Sequence, residues 1–402
     1  MALLPVDQAL QRLLDGAEPA DSEQVSIGDA AGRVLAEEVR ALRTQPPFDA
    51  SAMDGYAVRA ADIETVPVTL DVIGQAPAGQ HFPGMVGPGQ AVRIFTGAPV
   101  PPGADTVVIQ ENTRLLDNGA VEIVELTASG RNIRLKGLDF STGDLLLEKG
   151  WLLDAGAVSL AAAANHPTLS VLRRPLLAII ATGDELLPPG SEPGPDQIIA
   201  SNGYGVAAIA RSVGAEVLDL GIVSDSLPAI SSRIRHAIEQ RADVIVTLGG
   251  ASVGDHDLTH DALVAEGMTL GFWKIAMRPG KPLMFGRRGT TRFLGFPGNP
   301  VASLVCSHLF LKPLLSRLGG RAFSQDIRDA VLDEPMAAND LRQDYVRAML
   351  HDEPDGRITA TPFATQDSSM LKTFSQANGL IIREPFAPAA EAGSICKVLR
   401  LR

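Results

Sequence analysis

Four short runs of apolar and β-branched residues, each followed at once by a polar or turn-forming segment, most constrain how this chain folds. They are Leu176–Ala181, Ala215–Val223, Asp243–Leu248 and Arg292–Phe296. Helical patterns separate the first three runs and follow the third; these span Gly203–Ser212, Pro228–Gln240 and Asp257–Ala265. Alternating strands and helices predict a parallel sheet with right-handed crossovers, in which ligands bind beyond the carboxyl ends of the strands.

The residue patterns in the rest of the sequence predict further domains on either side of this α/β domain. Residues 44–134 contain short β-branched runs cut by Gly- and Pro-rich turns, whereas helical patterns occur on either side of them. We therefore expect a multidomain α/β plus β protein. Its predicted parts are a helical N-terminal or linker domain (1–43 with 135–173), an inserted β-domain (44–134), the α/β domain (174–322) and a small C-terminal all-β domain (323–402).

Composition narrows the class of protein. The 47 acidic and 35 basic residues give a net charge of −12, which excludes an overall electrostatic footprint for nucleic acid. Cys306 and Cys396 fit neither a metal-ligand spacing nor a disulfide framework. The longest uncharged apolar run, Ala155–Ala164, is half as long as a membrane span, and the N-terminal residues read as an amphipathic helix rather than a signal peptide. We expect a cytoplasmic protein with no membrane partner.

Acidic residues follow three of the predicted strands. Glu185, Asp225, Asp255 and Asp257 would gather at one edge of the sheet, where carboxylates repel one another unless a cation joins them. Magnesium prefers oxygen ligands and substrate phosphates, so the pattern predicts a Mg²⁺ site. The structural alternative is that Asp184 or Asp225 only caps the following helix.

A glycine-rich loop follows the third strand. Gly249, Gly250 and Gly254 lie at a strand-to-helix turn, where backbone N–H groups can bind an anion, although a tight structural turn would use the same residues. The loop also contains a G-x-S-x-G pattern centred on Ser252, so a serine hydrolase is an alternative. The absence of an oxyanion segment and the acidic rim disfavour that alternative.

A short cationic segment stands out on this acidic chain. Lys274, Arg278 and Lys281 occur within ten residues that contain no acid. Such a patch is a natural anchor for phosphate or another oxyanion, and a plain solvated basic edge is the alternative.

Several motifs, taken together, resemble one family over nearly the whole chain, the molybdopterin molybdenumtransferases, which include MoeA and the gephyrin E-domain. The motifs that carry the resemblance are Pro46–Ala57, Thr96–Pro99, Thr182–Glu185, Gly249–Asp257, Arg278–Pro282 and Pro297–Pro300. Arg278 stands where Lys is also common in the family, which speaks against proton transfer at that position.

The resemblance implies that molybdate and adenylylated molybdopterin are converted to molybdenum cofactor with release of AMP, assisted by Mg²⁺. It implies a homodimer with shared active sites, in which Asp54 enters the site of the partner. Molybdopterin adenylyltransferase and molybdoenzyme apoproteins are possible further partners, and a gephyrin-like peptide-binding scaffold is the alternative function. The implied catalytic residues are Asp54, Thr96, Glu185, Asp225 and Asp257, and Glu185, Asp225 and Asp257 are the implied metal ligands. The implied substrate-binding residues are Gly249, Gly250, Ser252, Gly254, Lys274, Arg278, Lys281, Pro297, Asn299, Pro300 and Ser369.

Overall fold

The structure, a computed structural model, describes residues 3–19, 21–250 and 258–401. Its α-helices are α1 Val6–Leu14, α2 Ala155–Ala163, α3 Asn202–Ser212, α4 Leu227–Glu239, α5 Leu258–Ala265, α6 Pro300–Cys306, α7 Lys312–Leu318 and α8 Leu371–Gln376. A π-helical turn, Ser307–Leu311, joins α6 to α7.

The strands of the described part of the chain are mostly short. They are β1 Ser22–Ser26, β2 Val39–Arg40, β3 Ala50–Ser51, β4 Gly55–Val58, β5 Val68–Ala76, β6 Gln90–Ile94, β7 Thr106–Ile109, β8 Thr113–Leu115, β9 Val121–Ile123, β10 Ile133–Arg134, β11 Leu145–Leu147, β12 Thr168–Leu172, β13 Leu176–Thr182, β14 Leu186–Leu187, β15 Ile198–Ile199, β16 Glu216–Val223, β17 Val244–Leu248, β18 Thr269–Trp273, β19 Met277–Arg278, β20 Met284–Arg288, β21 Thr291–Phe296, β22 Ile327–Leu332, β23 Gln343–Asp352, β24 Ile358–Pro362, β25 Gly379–Arg383 and β26 Ile395–Arg400.

The chain divides into two compact units. The first, called here the α/β unit, comprises Met1–Glu23, Gly32–Val34 and Val171–Arg402. The second, called the β-rich unit, comprises Gln24–Ala31 and Leu35–Ser170. The division of the chain into four domains at the boundaries given above stays a prediction.

The main sheet of the α/β unit has the strand order β16-β13-β17-β21-β20-β18. The four strands that the sequence predicts are confirmed and run parallel, with Ala181 opposite Leu248 and Leu248 opposite Phe296. Strands β20 and β18 continue the sheet in antiparallel pairings that the sequence analysis did not anticipate. Their sequences are difficult to recognise as strands, because Gly271 interrupts β18 and two arginines end β20.

Both faces of this sheet are buried, because successive side chains of a strand point to opposite sides. Leu177 and Ile179 pack in one core with residues of α1, α3, α6 and α7. Ala178 and Ile180 pack in a second core with residues of α4 and α5. Helix α3, which follows β13, and helix α5, which follows β17, therefore lie on opposite faces of the sheet, which is a doubly wound arrangement.

The apolar helical stretch Pro300–Leu318 has the length and hydropathy of a membrane span. However, 78% of its apolar window is buried inside the fold, where Val305, Phe310 and Leu314 are fully enclosed. The composition of this stretch is thus explained by its position in the protein core.

The last part of the chain forms a closed sheet, as the predicted C-terminal β-domain requires. The sheet order is β19-β23-β24-β22-β26-β25, and an additional pairing of β23 with β25 closes the five strands β22–β26 into a ring, to which β19 adds through β23 alone. Strand β19 belongs to the basic segment, so Arg278 lies directly opposite Asp344 of β23. Helix α8 was not predicted.

The β-rich unit contains the predicted inserted sheet, ordered β7-β4-β6-β5-β9-β8. Apolar side chains of these strands form its cores, among them Val58, Leu70 and Val108. Helix α2 begins where the Asp154 carboxylate accepts the Ala157 N–H at 2.8 Å.

The close approach of β4 and β7 at Gly55 generates a stability prediction. A Cβ atom at Gly55 would lie 1.9 Å from the Val108 carbonyl oxygen, which is backbone and cannot move aside. We expect Gly55→Ala to lower the free energy of unfolding by about 2–3 kcal/mol, measured by chemical denaturation. In the matched control Gly28→Ala, the added Cβ would meet only the Ser26 hydroxyl at 3.8 Å, so stability should change by less than about 0.5 kcal/mol. Equal effects of the two substitutions would contradict this account.

Candidate functional site

A cavity of about 480 Å³ opens at the carboxyl edge of the main sheet, where β13 and β17 end. The strand order reverses between β13 and β17, and a crevice outside such a point is the usual ligand site of an open α/β sheet. The residues that line the cavity are Ala181, Thr182, Glu185, Leu186, Ile198, Ile199, Ala200, Ser201, Asn202, Gly203, Leu248, Gly249, Gly298, Asn299, Pro300 and Ser369. The structure therefore brings together five predicted site residues: Glu185, Gly249, Asn299, Pro300 and Ser369.

Hydrogen bonds between distant parts of the chain fix the polar wall of the cavity. The Asn202 side chain donates to the Gly298 carbonyl at 2.7 Å, and the Asn299 side chain donates to the Ser368 hydroxyl at 2.7 Å. Ser369 donates both its amide and its hydroxyl to Asp367. Pro297 lies just behind this wall, where its carbonyl accepts the Ser303 hydroxyl. The wall is thus held in place before any ligand arrives.

The turn after β17 requires glycine at two positions. Gly249 has φ +97° and Gly250 has φ +66°. A Cβ at Gly250 would lie 2.0 Å from the Thr259 hydroxyl oxygen and 3.2 Å from that of Thr182. Both hydroxyls are buried and have no hydrogen-bond partner in the described structure. The backbone thus passes closely over two buried hydroxyls at the mouth of the crevice.

Three carboxylates lie at the same edge. The Asp225 N–H donates to the Asp184 carboxylate at 3.2 Å, and Glu185 is close enough to act on Asp225 electrostatically. Partial burial, followed by repulsion from Asp184 and Glu185, raises the pKa of the Asp225 carboxyl above its usual value. Uncompensated negative charge is therefore concentrated here, and oxygen donors of this kind suit a hard divalent cation.

The third predicted metal ligand, Asp257, cannot be placed beside Glu185 and Asp225. Asp257, together with Ser252 and Gly254, lies outside the described residues. Among residues 3–19, 21–250 and 258–401, no three His, Cys, Asp or Glu side chains converge on one metal position. The chemistry of Glu185 and Asp225 fits Mg²⁺, and the complete ligand set stays a prediction.

The three predicted basic residues have different surroundings, and whether their charges form one patch stays a prediction. Lys274 follows the carboxyl end of β18, at the same sheet edge as the cavity but three strands away from β17. Its φ of +71° is unusual for a non-glycine residue, and its ammonium group lies 5.4 Å from the centre of the Trp273 ring. The Lys281 carbonyl accepts the Ile275 N–H at 2.9 Å, which ties its loop to the end of β18.

Arg278 is engaged by acidic partners. Its guanidinium donates to Asp344 at 3.0 Å and lies 3.5 Å from Asp340. The hydrogen bond to Asp344 raises the pKa of Arg278, so the group is a fixed cation. An anionic ligand at this position would have to share the guanidinium with these two carboxylates.

Sequence reasoning did not single out Arg347, which is 2% exposed in the middle of β23. Its Nε atom has no partner among the described residues, and one Nη atom lies 3.4 Å from the Asp367 carbonyl, two residues before Ser369. Burial lowers the pKa of this guanidinium. The only signal in the sequence is an arginine inside an otherwise apolar run, which a solvent-facing strand position would also produce.

The β-rich unit carries the other two predicted catalytic residues, and the structure brings them together. The Thr96 amide and hydroxyl both donate to Asp54 Oδ1, each at 2.8 Å. The hydrogen bond from the Thr96 amide, and then the one from the Thr96 hydroxyl, lower the pKa of the Asp54 carboxyl. The second oxygen, Oδ2, makes no hydrogen bond within the described part of the chain, so Asp54 presents one anchored and one available carboxylate oxygen.

Comparison with protein families matches three regions of the chain in order. Residues 4–165 match the MoeA N-terminal region (domains I and II), residues 178–317 match a probable molybdopterin binding domain, and residues 329–401 match the MoeA C-terminal region (domain IV).

Individual relatives agree with this assignment. The chain is 33% identical to the molybdopterin molybdenumtransferase of Haemophilus influenzae over 97% of both chains. It is 34% identical to that of Bacillus subtilis over 99% of this chain and 94% of the relative. The crystal structure of a molybdopterin biosynthesis MoeA protein from Pyrococcus horikosii superposes with a TM-score of 0.83 at 30% identity, covering 100% of both chains. The chain therefore belongs to the molybdopterin molybdenumtransferase family.

Proposed function

We propose that this enzyme inserts molybdenum from molybdate into adenylylated molybdopterin and releases AMP. The observation that carries the proposal is the cavity at the reversal point of the sheet, which combines a polar wall, a glycine turn and a carboxylate cluster. A flat heterocycle suits the mixed walls of this cavity, with Leu186 and Ile198 on the apolar side and Asn202 and Asn299 on the polar side.

Phosphate groups of the substrate have two sources of backbone donors here. The turn at Gly249 and Gly250 brings main chain to the mouth of the cavity without an intervening side chain. The first residues of α3, Asn202 and Gly203, also line the cavity, so the positive end of an 11-residue helix lies at the site. We place the pterin phosphate at the glycine turn, with Ser252 and Gly254 completing its loop.

Mg²⁺ would be held by Glu185, Asp225 and Asp257, and its contribution would be to neutralise charge on the pyrophosphate during AMP release. The carboxylates repel the anionic groups of the substrate unless a cation lies between them. They therefore restrict where those groups can bind. Lys274, Arg278 and Lys281, with Ser369 and the nearby Pro297–Pro300 turn, would hold molybdate or phosphate.

We further propose a homodimer in which Asp54 and Thr96 serve the site of the partner subunit. The β-rich unit exposes several large apolar side chains within residues 135–152, including Leu135 (61%), Leu138 (66%) and Trp151 (49%). Exposed apolar groups of this size are typical of an interface. We also propose a cytoplasmic location. The adenylylated molybdopterin would come from molybdopterin adenylyltransferase, and the finished cofactor would pass to molybdoenzyme apoproteins.

The carboxylate cluster predicts opposite effects on activity and stability. Asp225→Asn should abolish AMP release, whereas it should raise the Tm at pH 7 because it removes a charge that is disfavoured by partial burial and by the neighbouring carboxylates. A raised pKa means that the folded state is penalised when the group is ionised, so the gain in Tm should disappear as pH falls through the range in which Asp225 becomes protonated. Mg²⁺ should stabilise the wild type more than Asp225→Asn or Glu185→Gln.

Scanning calorimetry with and without Mg²⁺, together with an AMP-release assay, measures these effects. Glu192→Gln is the matched control because Glu192 is exposed and belongs to the loop between β14 and β15. Normal turnover of Glu185→Gln or Asp225→Asn, with unchanged Mg²⁺ dependence, would disprove the proposed cluster.

A serine hydrolase and a molybdenumtransferase make different predictions for Ser252. If the loop binds phosphate through its backbone, Ser252→Ala should retain at least about half of the AMP-release rate, since the N–H groups remain. Labelling of wild-type Ser252 by a serine-reactive phosphonate, together with complete loss of activity in Ser252→Ala, would instead support the hydrolase.

Sharing of sites is testable with mixed dimers. Asp54→Asn and Asp257→Asn homodimers should both be inactive. If both are unfolded and refolded together in equal amounts, half of the dimers are mixed, and each has one doubly damaged and one intact site. About a quarter of wild-type activity should return, as isologous sharing requires. If heterodimers are shown to form and no activity returns, the two residues serve the site of the same chain.

A further inference from the structure

We propose that Arg93 is the positioning residue of the Asp54–Thr96 pair, and that it fixes the backbone that directly follows the catalytic carboxylate. The proposal rests on the role for Asp54 proposed above and extends it to a residue that no motif indicated. Arg93 lies in β6 of the β-rich unit, directly opposite Tyr56 of β4, so its side chain leaves the sheet beside the turn that carries Asp54.

The guanidinium group of Arg93 closes a ring of hydrogen bonds around Asp54. One Nη atom donates to the Gly55 carbonyl at 3.2 Å, and the other donates to the Gln110 side-chain oxygen. The backbone N–H of Gln110 in turn donates to the Asp54 backbone carbonyl at 3.0 Å. The carbonyl groups of Asp54 and of the following glycine are therefore both held, directly or through Gln110, by one side chain.

Aromatic rings restrict Arg93 itself. Its guanidinium carbon lies 5.1 Å from the centre of the Tyr56 ring and 5.2 Å from that of the Phe95 ring. Cation–π contacts with two rings favour one position of the planar group. Since Phe95 directly precedes Thr96, this contact couples Arg93 to the residue that anchors Asp54 as well as to Asp54.

This arrangement explains how an exposed aspartate is kept in one geometry. Thr96 binds only Oδ1, so the direction of the available Oδ2 depends on the backbone of the turn. If Arg93 is lost, the Gly55 carbonyl and the Gln110 side chain lose their shared donor and the turn can rotate away from Thr96. Lysine cannot replace the arginine fully, because an ammonium group lacks the planar fork that reaches two acceptors at once.

The first test measures Asp54 directly and does not depend on the reaction. The Asp54 carboxyl is titrated by NMR in protein labelled with ¹³C at aspartate, with Asp54→Asn assigning its signal. In Arg93→Gln the pKa of Asp54 should rise, because a nearby cation and the alignment with Thr96 are lost, and the Thr96 amide signal should move. Arg114→Gln is the matched control, since Arg114 is an exposed arginine of the same unit that pairs with Glu122. It should leave both signals unchanged.

The second test uses AMP release. Arg93→Gln should lower kcat about tenfold or more with KM for the pterin substrate changed less than about twofold, as expected for misplacement of a catalytic group. Arg93→Lys should lie between this variant and the wild type, and it decides the matter if Arg93→Gln does not fold. An unchanged Asp54 titration and Thr96 amide signal in the arginine variants would overturn the positioning role. Failure of the wild-type protein to release AMP would overturn the proposed function alone, because the Asp54 titration would still report on Arg93.

Discussion

Burial of both faces of one parallel sheet is the constraint on which the α/β unit depends. Leu177 and Ile179 face one core and Ala178 and Ile180 the other, so helices must cover both sides. To place helices on both sides, the connections that follow the neighbouring strands β13 and β17 have to run to opposite faces, and they diverge at the carboxyl edge of the sheet. The crevice left between them is a consequence of packing, and the polar residues that follow the strands occupy it.

Several residues at the carboxyl edge of the sheet have features that lower the stability of the fold. Buried hydroxyls of Thr182 and Thr259 have no partner in the described structure, and Gly249 and Gly250 adopt left-handed backbone conformations. Partial burial, and then the neighbouring carboxylates, raise the pKa of Asp225. Unpaired buried hydroxyls and neighbouring like charges both destabilise a fold. Their accumulation at one point of the sheet, beside a preformed cavity, indicates selection for binding rather than for stability.

The outlines of the fold followed from the sequence because its strongest signals are local. Buried strands such as Val244–Leu248 are short apolar runs that end at glycine or proline, and helices such as α4 follow a clear 3.6-residue period. The antiparallel strands β18 and β20 were missed, since a glycine and terminal arginines weaken their patterns. Glu185 and Asn299 were predicted as site residues from their positions in motifs, and Ser369 from the family resemblance, whereas Arg347 and Arg93 were not predicted. Both arginines contact partners distant in the sequence, and no local pattern distinguishes them from ordinary strand arginines.

The two units solve the same electrostatic problem in different ways. At the edge of the main sheet, carboxylates lie close together without a compensating side chain among the described residues, so their charge favours a cation from solution. In the β-rich unit, Asp54 is stabilised as an anion by Thr96 and then by Arg93, so it needs no cation to remain ionised. A carboxylate of the first kind recruits a metal, whereas one of the second kind offers a fixed lone pair to a substrate or a proton. The proposed reaction uses both properties, because the charge of the pyrophosphate has to be neutralised while a fixed carboxylate oxygen accepts a hydrogen bond or a proton from the substrate. One cluster of carboxylates cannot do both, since neighbours that repel an ionised carboxylate do not stabilise it.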